Sequence, residues 1–178
     1  MKLLWVDCET NGLDPYKHSV LEVAAGIADL SDPFNVEKLC DGAIWVHPDV
    51  ATGFDKFIID MHTKNGLLDA CTDEDVAFDL FELEDVLLKH VPDVVDKDEK
   101  TVLAGSTVHF DLGFIRVHMP RLAKRLSHRC YDVSALKLFC QSLGMPKFRK
   151  AEAHRAWADV LESVEHGKEC SKWLKENH

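Results

Sequence analysis

The chain has 178 residues, 46% hydrophobic and 29% charged, an ordinary globular composition with enough length for one domain and a sizeable core. A formal net charge of −10 argues against a surface that grips long duplexes, which needs clustered Lys and Arg, but not against a short nucleic acid held by metal ions and a few local cations. Six scattered cysteines without a Cys-x-x-Cys pair read as reduced thiols rather than zinc ligands or a disulfide frame; with no bilayer-length apolar run and no signal-peptide pattern, the expected location is cytoplasmic.

In chain order, residues 2–8 read as a buried strand, Ser19 to Leu30 as a second and Ala43 to His47 as a third that Pro48 stops. Phe54 to Gly66 has a short-helix and loop pattern. Asp73 to Val91 reads as a helix, with Thr72 as its cap and an apolar stripe of Val76, Leu80, Leu83, Leu87 and Leu88 before Pro92. Thr101 to Ala104 is a fourth strand, and Gly105-Ser106-Thr107 leads into a helix from about Phe110. Arg129 to Asp132 is a short fifth strand, followed by a helix over Val133 to Leu143. A basic segment, Lys147, Arg149 and Lys150, precedes a last helix from about Glu152 to Leu174. Three strands followed by alternating helix and strand predict an α/β domain: a mixed five-stranded sheet flanked by helices, in a single unit over residues 1–178.

The chemistry concentrates in acidic residues. Asp7 and Glu9 end the first strand, and side chains at i and i+2 project from the same side of a strand. Carboxylates that close repel each other unless a cation lies between them, and a hard divalent ion such as Mg²⁺ or Mn²⁺ suits their oxygens. Asp111 falls at a strand-to-helix junction. His154 and Asp159 flank the start of the last helix; five residues subtend about 140° on an ideal helix, so the two converge better if His154 lies in the loop or first turn.

In this order and spacing the residues resemble the 3′–5′ exonucleases of the DEDD type with a ribonuclease-H-like fold, in the branch whose last motif carries histidine. Asp7-Cys8-Glu9-Thr10 looks like the first motif, Asp111 stands where the second Asp belongs, and His154 to Asp159 matches H-x(4)-D. Further runs are similar to the oligoribonuclease group: Trp5-Val6-Asp7, Gly12-Leu13-Asp14-Pro15, His62-Thr63 with Gly66-Leu67, Tyr131 to Lys137, and Glu162-Ser163. The similarity spans roughly residues 3 to 170. Cys8 replaces the usual leucine, Asn11 a threonine, Phe57 a tryptophan that packs on a base, and His128 a tyrosine; none of these is a metal ligand.

The resemblance implies hydrolysis of short single-stranded RNA, or DNA, from the 3′ end with two divalent ions, Mg²⁺ or Mn²⁺. Asp7, Glu9, Asp111 and Asp159 would hold the ions and His154 would be the general base. Leu13 and Phe57 would meet the terminal bases, with core packing as the alternative for both. Thr107, Ser134 and Arg129 would bind a 5′ phosphate, Arg129 reaching in from the second subunit of a homodimer. His62 would support the same pocket or be a hydrogen-bonded structural histidine. Two other functions fit the same residues: an exonuclease of this type that trims single-stranded DNA or longer RNA, and a catalytically silent nucleic-acid-binding domain.

Overall fold

The computed structural model describes residues 1–148 and 154–177. Its strands are β1 (Lys2–Thr10), β2 (Val20–Asp29), β3 (Asp32–Ala43), β4 (Thr101–Gly105) and β5 (Leu126–Asp132). The helices are α1 (Pro48–Ala51), α2 (Lys56–Lys64), α3 (Leu67–Thr72), α4 (Leu80–Leu88), α5 (His109–His118), α6 (Pro120–Arg125), α7 (Val133–Ser142) and α8 (Ala156–Asn177).

The sheet order is β3-β2-β1-β4-β5; β2 runs antiparallel to both its neighbours, and β4 and β5 run parallel to β1. The unbroken apolar run Leu3-Leu4-Trp5-Val6 is buried throughout, as a central strand covered on both faces requires. Leu4, Val6 and Cys8 pack with Leu83, Leu87, Phe114 and Ile115 on one face. Leu3 and Trp5 pack with Val133, Val160 and Val164 of α7 and α8 on the other. Among the described residues no helix is long and apolar enough to cross a membrane.

Four expected elements shift. The third strand is not Ala43 to His47 but Asp32–Ala43, the antiparallel partner of β2. It lies at the sheet edge, where Pro33 costs no ladder bond and exposed charges are tolerated, so its sequence looks like a loop. Beyond it, Ile44 bridges Phe78, and Val46 N donates to Cys71 O. That bridge also corrects the helix expected from Asp73. Phe78 N donates to Ala43 O and Trp45 N to Phe78 O, so the chain must be extended there, and α4 starts only at Leu80 with Asp79 as its cap. Thr72 instead ends α3, its hydroxyl bonded to Leu68 O. Finally, β5 begins at Leu126 and the last helix at Ala156; Arg149, Lys150 and Glu152 lie outside the described residues.

Candidate active site

β1 outruns its parallel neighbour. Their pairing ends at Trp5 and Ala104, and β4 turns away at Gly105, where a Cβ would sit 2.8 Å from Val6 O. The Cys8 N–H beyond that point has no strand partner on this side and donates to Asp111 Oδ1 at 2.9 Å. The end of β4 thus delivers the first turn of α5, and with it Asp111, to the carboxylate end of β1. On the other face α8 brings in Asp159 from its first turn. Asp7, Glu9 and Asp159 each offer an oxygen, all within 4.8 Å of one another.

Packing these acids together away from water disfavours their charged forms. Burial, reinforced by Asp111, Glu9 and Asp159, pushes Asp7 up to about 9. Burial and the neighbouring Asp159 push Glu9 up to about 7. Burial raises Asp111 to about 7 against the opposing pull of the Cys8 N–H. His62 is wholly buried in α2 with Nε2 4.0 Å from Glu9 Oε2, and among the described residues neither ring nitrogen has a hydrogen-bond partner. A converging set of hard oxygens, each costly to ionise alone, is a donor set that fits a divalent cation.

His154 precedes α8 with φ 47, a left-handed conformation rarely taken by a residue with a side chain. Its carbonyl accepts from Asn65 Nδ2 at 2.5 Å. The next residue, Arg155, lies against buried Glu22 of β2: Nε is 3.0 and 3.2 Å from Oε1 and Oε2, and Nη2 is 2.7 Å from Oε1. Ala156 N donates to Glu22 Oε2 at 2.8 Å, so a carboxylate from the sheet caps α8.

A cleft of about 450 Å³ joins these groups to others. Asp7, Asp159 and His154 line it together with Ser106, Thr107, Ser134, Lys137, Glu162 and His166. The Thr107 and Ser134 hydroxyls lie 3.1 Å apart, and Asp132 Oδ1 aligns both segments by accepting from Thr107 N and Ser134 N. Lys137 Nζ is 3.3 Å from His166 Nδ1.

The structure therefore brings Asp7, Glu9, Asp159, His154, Thr107 and Ser134 together, with Asp111 adjacent and His62 behind Glu9. It does not bring three others into this cleft. Leu13 and Phe57 are 82% and 69% exposed, so neither packs in the core. Arg129 points out from β5 and pairs with Asp98 at 2.9 Å. Sequence reasoning missed Glu22, Asn65, Arg155 and His166. Glu22 did carry a signal: it is the one acid in the apolar run Val20 to Ala25.

Residues 4–166 match the exonuclease family model, and the chain belongs to that family. A relative in Corynebacterium diphtheriae, an oligoribonuclease, is 35% identical over 92% of this chain and 78% of its own length. A probable oligoribonuclease of Schizosaccharomyces pombe is 32% identical over 91% of this chain, which spans only 64% of that protein. Among solved structures, Escherichia coli exonuclease I in complex with a dT13 oligonucleotide superposes with a TM-score of 0.68 at 16% identity, over 98% of this chain and 42% of that one. The RNase domain of yeast Pop2 superposes with a TM-score of 0.59 at 14% identity, over 98% and 76%. These likenesses show a shared α/β fold.

Proposed function

We propose that the protein is a divalent-metal-dependent 3′–5′ exoribonuclease that hydrolyses short oligoribonucleotides to 5′-mononucleotides. The observation that carries this reading is the convergence of Asp7, Glu9 and Asp159 within 4.8 Å, beside Asp111 and in one cleft with His154. The oligoribonuclease relatives support the choice of substrate.

Asp7, Glu9, Asp111 and Asp159 would hold two Mg²⁺ or Mn²⁺ ions. When bound, such ions neutralise charge on the phosphate and acidify a water. His154 takes the proton from the attacking water as its oxygen bonds to phosphorus. The bond from phosphorus to the 3′-oxygen of the preceding nucleotide then breaks, and that oxygen is protonated from solvent. Thr107 and Ser134 present adjacent hydroxyls for a 5′ phosphate, and a substrate that must end there is short. Leu13 and Phe57 present apolar surface to bases, His62 backs Glu9, and Arg129 reaches the phosphate of a neighbouring subunit in a homodimer. Six free cysteines suit the reducing cytoplasm.

The test is hydrolysis of end-labelled RNA and DNA of two to twenty nucleotides with Mg²⁺, Mn²⁺ or a chelator. RNA of two to five nucleotides should be cut fastest, and the chelator should abolish the reaction. Equal rates on long RNA or on DNA would make the protein a general trimming exonuclease. No cleavage with either ion would leave only a binding domain.

A further inference from the structure

A left-handed backbone at a residue with a side chain persists only when its surroundings over-determine it. His154 is such a residue, and its surroundings come from three parts of the chain. Asn65, at the end of α2, donates to the His154 carbonyl, and the Asn65 carbonyl in turn lies 3.4 Å from Arg155 Nη1. Glu22, 1% exposed near the start of β2, takes Arg155 with both its oxygens and also accepts from Ala156 N. Residues 154, 155 and 156 are therefore each held by a different bond.

Glu22 is an expensive way to pack a sheet. It lies directly opposite Glu9 in the β1–β2 register, and like charges across a strand pair destabilise. A buried ion pair is commonly matched or bettered in stability by apolar side chains of similar size. Among the described residues, its side-chain hydrogen bonds all lead to the chain around His154. We infer that Glu22, Asn65 and Arg155 form a positioning clamp that fixes the His154 imidazole in the cleft, so that Glu22 and Asn65 act on the reaction through His154. This inference rests on the reading of His154 as the proton acceptor.

Two near-isosteric substitutions test it. Asn65→Asp keeps the oxygen that accepts from Leu67 N but loses the donor to His154. Glu22→Gln keeps the shape but loses the charge that holds Arg155. Each should lower kcat by about 10–10²-fold, the scale of a misplaced catalytic group. KM and the thermal shift produced by Mn²⁺ should stay within experimental error. In a His154→Ala background the same substitutions should change kcat by less than about twofold, because groups that act as a unit are not additive. Multiplicative losses in that background, or an altered Mn²⁺ response, would mean the pair serves the carboxylates and would overturn the clamp. A second readout does not depend on turnover: the ring resonances of His154 in ¹⁵N-labelled protein should be those of a single environment in the wild type and should shift or broaden in Asn65→Asp. Unchanged ring signals in a folded Asn65→Asp protein would also overturn the proposal. If His154→Ala turned over as fast as wild type, the base assignment would fall instead, while the ring signals would still decide the clamp.

Discussion

The backbone N–H of Cys8 donates to Asp111 Oδ1 at 2.9 Å, joining residues 103 positions apart in the chain. One oxygen of this carboxylate is thus committed to the end of β1, and the negative charge it carries makes Asp7 harder to ionise. Asp111→Asn can keep an oxygen on the Cys8 N–H while removing that charge. Turnover should fall by about 10²–10³-fold, corresponding to the several kcal/mol an ion contributes to the transition state. The metal-free protein should melt at an equal or higher temperature at pH 8. Activity within tenfold of wild type at limiting Mg²⁺ would remove Asp111 from the ion-binding set.

The raised acids make stability depend on pH in a definite direction. Unfolded Asp and Glu titrate near pH 4, whereas Asp7 in the fold titrates at about 9 and Glu9 and Asp111 at about 7. Between those limits the folded chain binds more protons than the unfolded one, so stability falls as pH rises. In chelator, the melting temperature should decline from pH 5 to pH 9. Mg²⁺ or Mn²⁺ should raise it at pH 8 more than at pH 5, since an ion replaces the protons. A melting temperature that is flat in chelator over this range would contradict the electrostatic description of the site.

Leu13 and Phe57 offer a separation of binding from folding. Both side chains are mostly in water, and truncating such residues changes stability by only about 0.5 kcal/mol. Base stacking contributes about 1–3 kcal/mol, roughly 5- to 150-fold in affinity. Leu13→Ala and Phe57→Ala should therefore raise KM for a dinucleotide by such factors with the melting temperature unmoved. A fall in stability with KM unchanged would identify them as packing residues.

Arg129 pairs with Asp98 on the exposed side of β5. If its task is a phosphate on a neighbouring subunit, Arg129→Ala should weaken binding of a 5′-phosphorylated dinucleotide by about 10-fold or more, the scale of a hydrogen bond to a charged group. The unphosphorylated dinucleotide should bind as before, and Asp98→Ala should have little effect on either. In a mixed dimer of wild type with an Arg129→Ala, Asp7→Ala double mutant, the intact site should bind the phosphate poorly. Full affinity there, or an active monomer, would rule out the shared arginine.

What could be read from the sequence was what is local. Asp7 and Glu9 share a face because a strand alternates, and the burial of Leu3 to Val6 follows from an unbroken apolar run. The start of α4 could not be read, because Asp73 to Val91 carries a helical stripe, whereas Asp73 to Ala77 close a turn and the distant bridge of Phe78 to Ile44 holds the chain out of the helix until Leu80. The edge strand β3 was misplaced because an edge tolerates proline and charge that a central strand would reject. Glu22, Asn65 and Arg155 meet only after β2, α2 and α8 have docked, and no spacing encodes that meeting.

The clustered carboxylates come from elements far apart in the chain: Asp7 and Glu9 lie in β1, Asp159 in α8, and 152 positions separate the outer pair of Asp7 and Asp159. A chain leaving the ribosome N-terminus first exposes β1 long before α8 exists. During that interval it carries two of the acids but not the third, nor the histidine beside it. Under the proposed assignment of the site, its acids and its histidine therefore come together only after residues 154 to 159 have been made and α8 has docked on the sheet.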